Sequence, residues 1–146
     1  MTEDIEVRLM GPEDEALILS PAEGLFDNPP DPEQTRAFLA SALCEMVAAR
    51  LGDRILSFAS GTILLHPDKR PSMFINEVGT REDWQRHGLA SRVTQALVDH
   101  ARAVGCDGVW PGTEPDNTPA RGRCRKLGAE ERGFVGFAWD GAFDLD

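Results

Sequence analysis

The sequence predicts a mixed α/β fold, with a central, mostly antiparallel sheet, one parallel pair and about four flanking helices. Three observations predict it. Residues 1–80 contain a strand-like segment, two helix-like segments and then three strand-like segments in a row, two of them meeting at Gly52-Asp53. Residues 72–141 instead alternate strand, helix, strand, helix, strand, an order that requires a crossover and parallel pairing. The chain has 146 residues, 41% of them hydrophobic, which suits one domain with a full core. Residues 1–146 are therefore read as a single domain.

The first segment, IEVRLM, alternates apolar and polar residues as an edge strand does. A Gly11-Pro12 break follows, and GPEDEALILS puts acids in the first turn of a short helix. GLFDNPPDPEQTRAFLASA is a proline-rich loop and then a second helix, with Asp31 as its N-cap and Pro32 at the first helical position. CEMVAARL and RILSFASGTILL form a hairpin about Gly52-Asp53, HPDKRP is a turn, and SMFINEVGT is the next strand. These strands make an antiparallel meander.

Through REDWQRH the chain enters an amphipathic helix over 88–104. Ala90, Val93, Ala96 (or Leu97) and Ala101 recur on one face of it, while Arg92, Gln95, Asp99 and Arg102 point the other way. Gly105 is its stop. CDGVWPGT is a strand, NTPARGRCRKLG a helix with Asn117 as N-cap and Gly128 at its end, and EERGFVGFAWDG a last strand.

Composition narrows the function. A net charge of −10 argues against a nucleic-acid-binding surface. Residues 1–80 carry 14 acidic and 6 basic groups, whereas residues 85–129 carry 7 basic and 4 acidic ones. One half thus suits a cation and the other an anion. No stretch approaches the roughly 20 apolar residues that span a bilayer, and MTEDIEVRLM lacks the basic start and apolar run of a signal peptide. Cys44, Cys106 and Cys124 are odd in number and form no CxxC pair, so a reduced, cytoplasmic protein is expected. His66, His87 and His100 have no neighbours at metal-ligand spacing, so no metal is expected.

Gly88 stands where a helix begins, preceded by Gln85, Arg86 and His87. The first backbone N–H groups of a helix are unpaired and its dipole is positive there, which suits an anion. A residue without a side chain lets a phosphate approach those groups directly. Gln85 and Arg86 add donors, and Ala90 keeps the following turn small. The pattern is not a Walker loop, which needs Gly-Lys-Ser/Thr, nor the three-glycine dinucleotide fingerprint. A pyrophosphate cradle is the chemistry it suggests.

QRHGLA resembles the Gln/Arg-x-x-Gly-x-Gly/Ala signature of GNAT-superfamily N-acetyltransferases, and NTPARGRCRKLGAEE is similar to that family's Asn-x-x-Ala-x-x-x-Tyr-x-Lys-x-Gly helix. The resemblance covers nearly the whole chain. Within the superfamily, LFDNPPDPEQTRAFL and INEVGT look most like aminoglycoside 3-N-acetyltransferase-type members. The resemblance implies the acyl-CoA N-acyltransferase fold and acetyl-CoA as co-substrate. It implies a pyrophosphate held by Gln85, Arg86, His87, Gly88, Leu89, Ala90 and Ser91, with Asn117 also contacting the coenzyme. It further implies that the strand before the signature offers main-chain groups of Val78, Gly79 and Thr80 to the pantetheine arm. Relatives that pair through exposed strands imply a homodimer.

Glu77 is the leading catalytic residue, because an acceptor amine with a pKa of about 10.4 must lose a proton before attack. A carboxylate beside the thioester can remove it directly or through water, and can orient an ammonium. The rival role is an ion pair with a nearby arginine. The family's usual general acid is a tyrosine, and this chain has none. Counting along the helix puts Cys124 at that place, among Arg121, Arg123, Arg125 and Lys126. Three roles stay open: Cys124 donates the proton, packs nearby while water does so, or takes the acetyl group as a nucleophile. Acceptor contacts are expected from the first half, Asp27 foremost, with Asp31 and Glu33 as companions or mere helix-cap charges. The reading is direct transfer from acetyl-CoA to a primary amine of a small cationic acceptor: an aminoglycoside, polyamine or amino-sugar. A peptide or protein amine, and a non-catalytic acyl-CoA sensor, are the alternatives.

Overall fold

The computed structural model describes residues 4–20 and 24–139. They divide into two compact units, Met1–Glu114 and Pro115–Asp146.

The first unit is built on a five-stranded sheet in the order β1-β2-β3-β4-β5. Strands β1 (Glu6–Leu9), β2 (Cys44–Leu51), β3 (Arg54–Leu64) and β4 (Ser72–Thr80) are the antiparallel meander, and β5 (Val109–Pro111) adds to β4 in parallel. β2 and β3 meet at Gly52-Asp53, where Gly52 alone takes a positive φ of 61°. That is the type II′ arrangement, whose twist matches the flanking strands.

Helices cover both faces of this sheet. On one side lies α3 (Leu89–Ala103), whose buried Leu89, Val93, Leu97 and Ala101 pack on Val47, Leu56, Ala59, Met73 and Ile75. Its end is a Schellman motif: Gly105 (φ 99°) donates to Arg102 O and Cys106 to Ala101 O. On the other side lie α1 (Glu15–Leu19) and α2 (Pro32–Ala40), over a second core of Met10, Ile18, Leu25, Met46, Ala48, Ile55 and Phe58. A 3-10 turn at Pro12–Asp14 precedes α1, and Asp31 caps α2 by accepting from Gln34 N at 2.9 Å. No helix among the described residues is long and apolar enough to cross a membrane.

The second unit contains α4 (Thr118–Lys126), capped by Asn117, whose Oδ1 accepts from Ala120 N at 3.2 Å. Gly128 (φ 94°) closes it with a second Schellman motif. Arg121 and Arg125 both bind Glu131 at 2.8 Å, tying the helix to the chain that leaves it.

The expected last strand is not formed: residues 130–139 carry no strand, and 140–141 lie outside the described residues. A strand exists only as part of a ladder, and this segment joins none among the described residues. Gly133 and Gly136 weaken it further. Its Val135, Phe137 and Trp139 stand largely in solvent instead.

Candidate active site

The site is organised by a break in the sheet. β4 pairs with β5 only through Met73, Phe74 and Ile75, which oppose Val109, Trp110 and Pro111. Pro111 has no N–H to continue the ladder, and beyond it β4 has no strand partner on that side among the described residues. Trp110 holds the paired end by packing on Phe74, with ring centroids 4.6 Å apart. The main-chain edge of Glu77–Thr80 is therefore left open toward the start of α3.

A β-bulge lies at the same place. Ser60 opposes Glu77 and Gly61 opposes Ile75, so Asn76 is the extra residue. Ile75 and Val78 pack on the α3-side core, while Asn76 and Glu77 are both exposed. The bulge turns Glu77 onto the face it shares with Gly79, the α1–α2 side. There a Cβ on Gly79 would lie 2.6 Å from Leu25 O and 2.7 Å from a Phe58 ring carbon. Only glycine allows the loop after α1 to approach β4 so closely. Phe26 packs on Phe58 at a centroid distance of 4.6 Å and anchors the loop that carries Asp27. Partial desolvation at the otherwise exposed Glu77 pushes its carboxyl above the ordinary range, and the neighbouring negative charge of Asp27 pushes it further. The result is a carboxylate that binds a proton more tightly than a free one, with a second acid beside it.

Behind this edge, the buried Ser57 hydroxyl donates to Gly79 O at 3.0 Å and lies 2.8 Å from Thr80 Oγ1. Arg81 follows, buried, with its N–H on Leu56 O and its Nε on Ile55 O at 2.7 Å. The end of β4 is thus held rigidly from the β3 side and open on the other.

The chain then passes a 3-10 turn (Glu82–Trp84) into the loop before α3. Gly88 is the N-cap, with φ 76°, and open space surrounds the position of its missing Cβ. The N–H groups of Leu89, Ala90 and Ser91 precede the first helical bond, from Arg92 N to Gly88 O, and no side chain caps them. No acid stands in the first turn. An uncapped helix start of this kind suits an anion. Gln85 Nε2 reaches back to Thr80 O at 3.4 Å, and His87 Nδ1 lies 3.0 Å from Trp84 O and 2.9 Å from Gln85 O.

The Acetyltransferase (GNAT) family profile matches residues 15–129. The chain belongs to the GNAT acetyltransferase family. It is an acetyl-CoA-dependent acetyltransferase, as members of this family are. A comparison with curated proteins by sequence finds no match. Among solved structures, it is similar to the aminoglycoside acetyltransferase meta-AAC0020 from an uncultured soil metagenomic sample, in complex with sisomicin (18% identity, TM-score 0.79, 99% of this chain and 98% of that one). It is also similar to AAC(6′)-Iy in complex with the bisubstrate analogue CoA-S-monomethyl-acetylneamine (20%, TM-score 0.76, 92% and 96%). A third is the aminoglycoside 6′-N-acetyltransferase AAC(6′)-Ih from Acinetobacter baumannii (15%, TM-score 0.73, 92% and 96%). At these identities the likeness is one of fold.

The GNAT co-substrate fits the residues present. The coenzyme presents amide groups along its pantetheine arm and two phosphates further on. The first need an unpaired strand edge and the second an uncapped helix start, and this unit supplies both. Glu77, Asp27, Val78, Gly79, Thr80 and the 85–91 loop all belong to the first unit, at the break or the loop beyond it. Asp31 is spent on its helix cap, and Glu33 stands in the first turn of α2. Asn117 and Cys124 belong to the second unit, where Asn117 caps α4 and Cys124 is a half-buried free thiol. The sequence does not place the bulge at Asn76, the Ser57 hydroxyl bonds or the His87 side-chain contacts. The adjacent polar pair Asn76-Glu77 within an apolar strand was the signal for the first; the hydroxyl and imidazole roles had none.

Proposed function

We propose that this GNAT enzyme acetylates a primary amine on a small cationic acceptor, such as an aminoglycoside, polyamine or amino-sugar, by direct transfer. The observation that carries this reading is the opening between β4 and β5, with the bulged Glu77 and its partner Asp27 beside it. The open edge at Val78 receives the thioester carbonyl, and its N–H polarises it. Glu77 takes the proton of the incoming ammonium, and its raised affinity for a proton favours that role. Asp27 supplies a second negative charge, which favours acceptors bearing a second positive one. Acetyl-CoA, when bound, supplies the activated acyl group and a thiolate leaving group with a pKa near the ordinary thiol's, about 8.5. Water or Cys124 returns a proton to that thiolate; a nucleophilic Cys124 would instead appear as an acetylated Cys124 in intact-mass spectra without acceptor. The uncapped N–H groups of Leu89, Ala90 and Ser91, with Gln85, Arg86, the backbone N–H of His87 and Gly88, hold the pyrophosphate, and Asn117 adds a contact.

The aminoglycoside complexes of the structural neighbours support this acceptor class. A homodimer is part of the proposal, supported by the exposed Val135, Phe137 and Trp139, which a second copy would cover. The testing experiment supplies acetyl-CoA and matched amines carrying one, two or three positive charges, with products read by mass spectrometry. Amines with two or more charges are expected to be acetylated most efficiently. Preference for neutral or singly charged amines, or for peptides, would count against it.

A further inference from the structure

Arg86 is the one non-glycine residue with a left-handed backbone among the described residues, at φ 65°. An L-residue gives up about tenfold in population to adopt that conformation. It sits two residues ahead of Gly88, itself at φ 76°, in the loop that leads into α3. Something must hold it there, and the adjacent imidazole has the contacts to do so. His87 Nδ1 reaches two carbonyl oxygens, those of Trp84 and Gln85, at 3.0 and 2.9 Å. Both are acceptors, so Nδ1 carries the proton and donates to the pair. The imidazole also packs on the Trp84 ring, with centroids 5.1 Å apart. Trp84 in turn packs against the α3-side core, and its N–H donates to Arg81 O at 2.9 Å. Arg81 is fastened to β3. The imidazole therefore joins the two peptide units before Arg86 to the rigid end of the sheet, and engages two carbonyl oxygens that would otherwise be free to face an anion.

We propose that His87 is a positioning residue for the coenzyme: its Nδ1–H fixes the Trp84 and Gln85 carbonyls and so holds Arg86 in the left-handed turn that presents the start of α3 to the pyrophosphate. The side chain touches neither phosphate nor acyl group. The inference rests on the reading of this loop as the coenzyme cradle.

Calorimetric titration of the full chain with CoA tests it, with the melting temperature of each free protein read alongside. The wild type is expected to bind. His87→Ala, and His87→Phe, which keeps a ring against Trp84 but lacks the donor, should each weaken CoA about tenfold, or about 1.4 kcal/mol. Glycine takes the left-handed turn freely, so in an Arg86→Gly background the same His87→Ala change should weaken CoA less than about threefold. Wild-type affinity in His87→Phe would overturn the proposal. So would a full tenfold loss in the Arg86→Gly background, because that would make the imidazole a direct phosphate contact. A wild type that does not bind CoA would overturn the cradle reading itself, before any substitution is compared.

Discussion

At the scale of single residues, the site depends on one glycine and two carboxylates. Gly79 is the position where the loop after α1 touches β4, with Leu25 O and the Phe58 ring both closer than any side chain tolerates. Gly79→Ala must displace backbone or ring, and an overpacking cost of about 1–3 kcal/mol is expected in urea unfolding. Glu77 and Asp27 repel one another, which contributes to holding the Glu77 carboxyl above its ordinary range. Removing one charge eases ionisation of the other. Asp27→Asn should therefore move the acid limb of kcat/KM to lower pH, a shift read directly from a pH–rate profile. The same raised carboxyl has a stability consequence of known sign. An acid whose folded pKa is raised stabilises the fold while protonated and loses that contribution as pH rises through its range. Glu77→Gln should thus melt slightly higher than wild type at neutral pH and at the same temperature in acid, while losing activity. A Glu77→Gln protein that melted lower at neutral pH would point to a structural ion pair instead.

At the scale of elements, the meander, the long helix and both capped helices were legible because their signals are local. Asp31 and Asn117 sit where caps must sit, and Gly105 and Gly128 stand where helices must stop. The last strand is not legible in this way, because alternation in GFVGFAW states a preference, whereas a strand requires a partner. The bulge at Asn76 was half legible: its polar pair was visible, but its pairing offset is a property of two strands together. The turn between β1 and α1 depends on one buried acid. Asp14 binds the Arg8 guanidinium and accepts from Gly11 N at 2.8 Å. Burial alone would raise its carboxyl pKa, but the hydrogen bonds from Arg8 and Gly11 outweigh it and the net shift is downward. A lowered folded pKa gives stability that is present above the ordinary carboxylate range and lost as pH falls through that range to the folded value. Asp14→Asn should cost about 2 kcal/mol near pH 7 and progressively less in acid, as measured by denaturant midpoints across pH.

At the scale of the whole chain, charge is unevenly divided: residues 1–80 carry 14 acidic and 6 basic groups and residues 85–129 carry 7 basic and 4 acidic ones, a division that agrees with the proposed cationic acceptor and anionic coenzyme. The family match spans most of the chain, and the proposed site lies at the β4–β5 opening. In the proposed reaction Glu77 is the base that frees the acceptor amine. The most direct measurement is kcat/KM against pH for the best acceptor, with wild type and Glu77→Gln side by side. Wild type should reach its plateau once Glu77 ionises. Glu77→Gln should fall about 10²–10⁴-fold near pH 7 and recover steadily toward the amine's own pKa, where no base is needed. An unchanged rate and profile in Glu77→Gln would contradict the account.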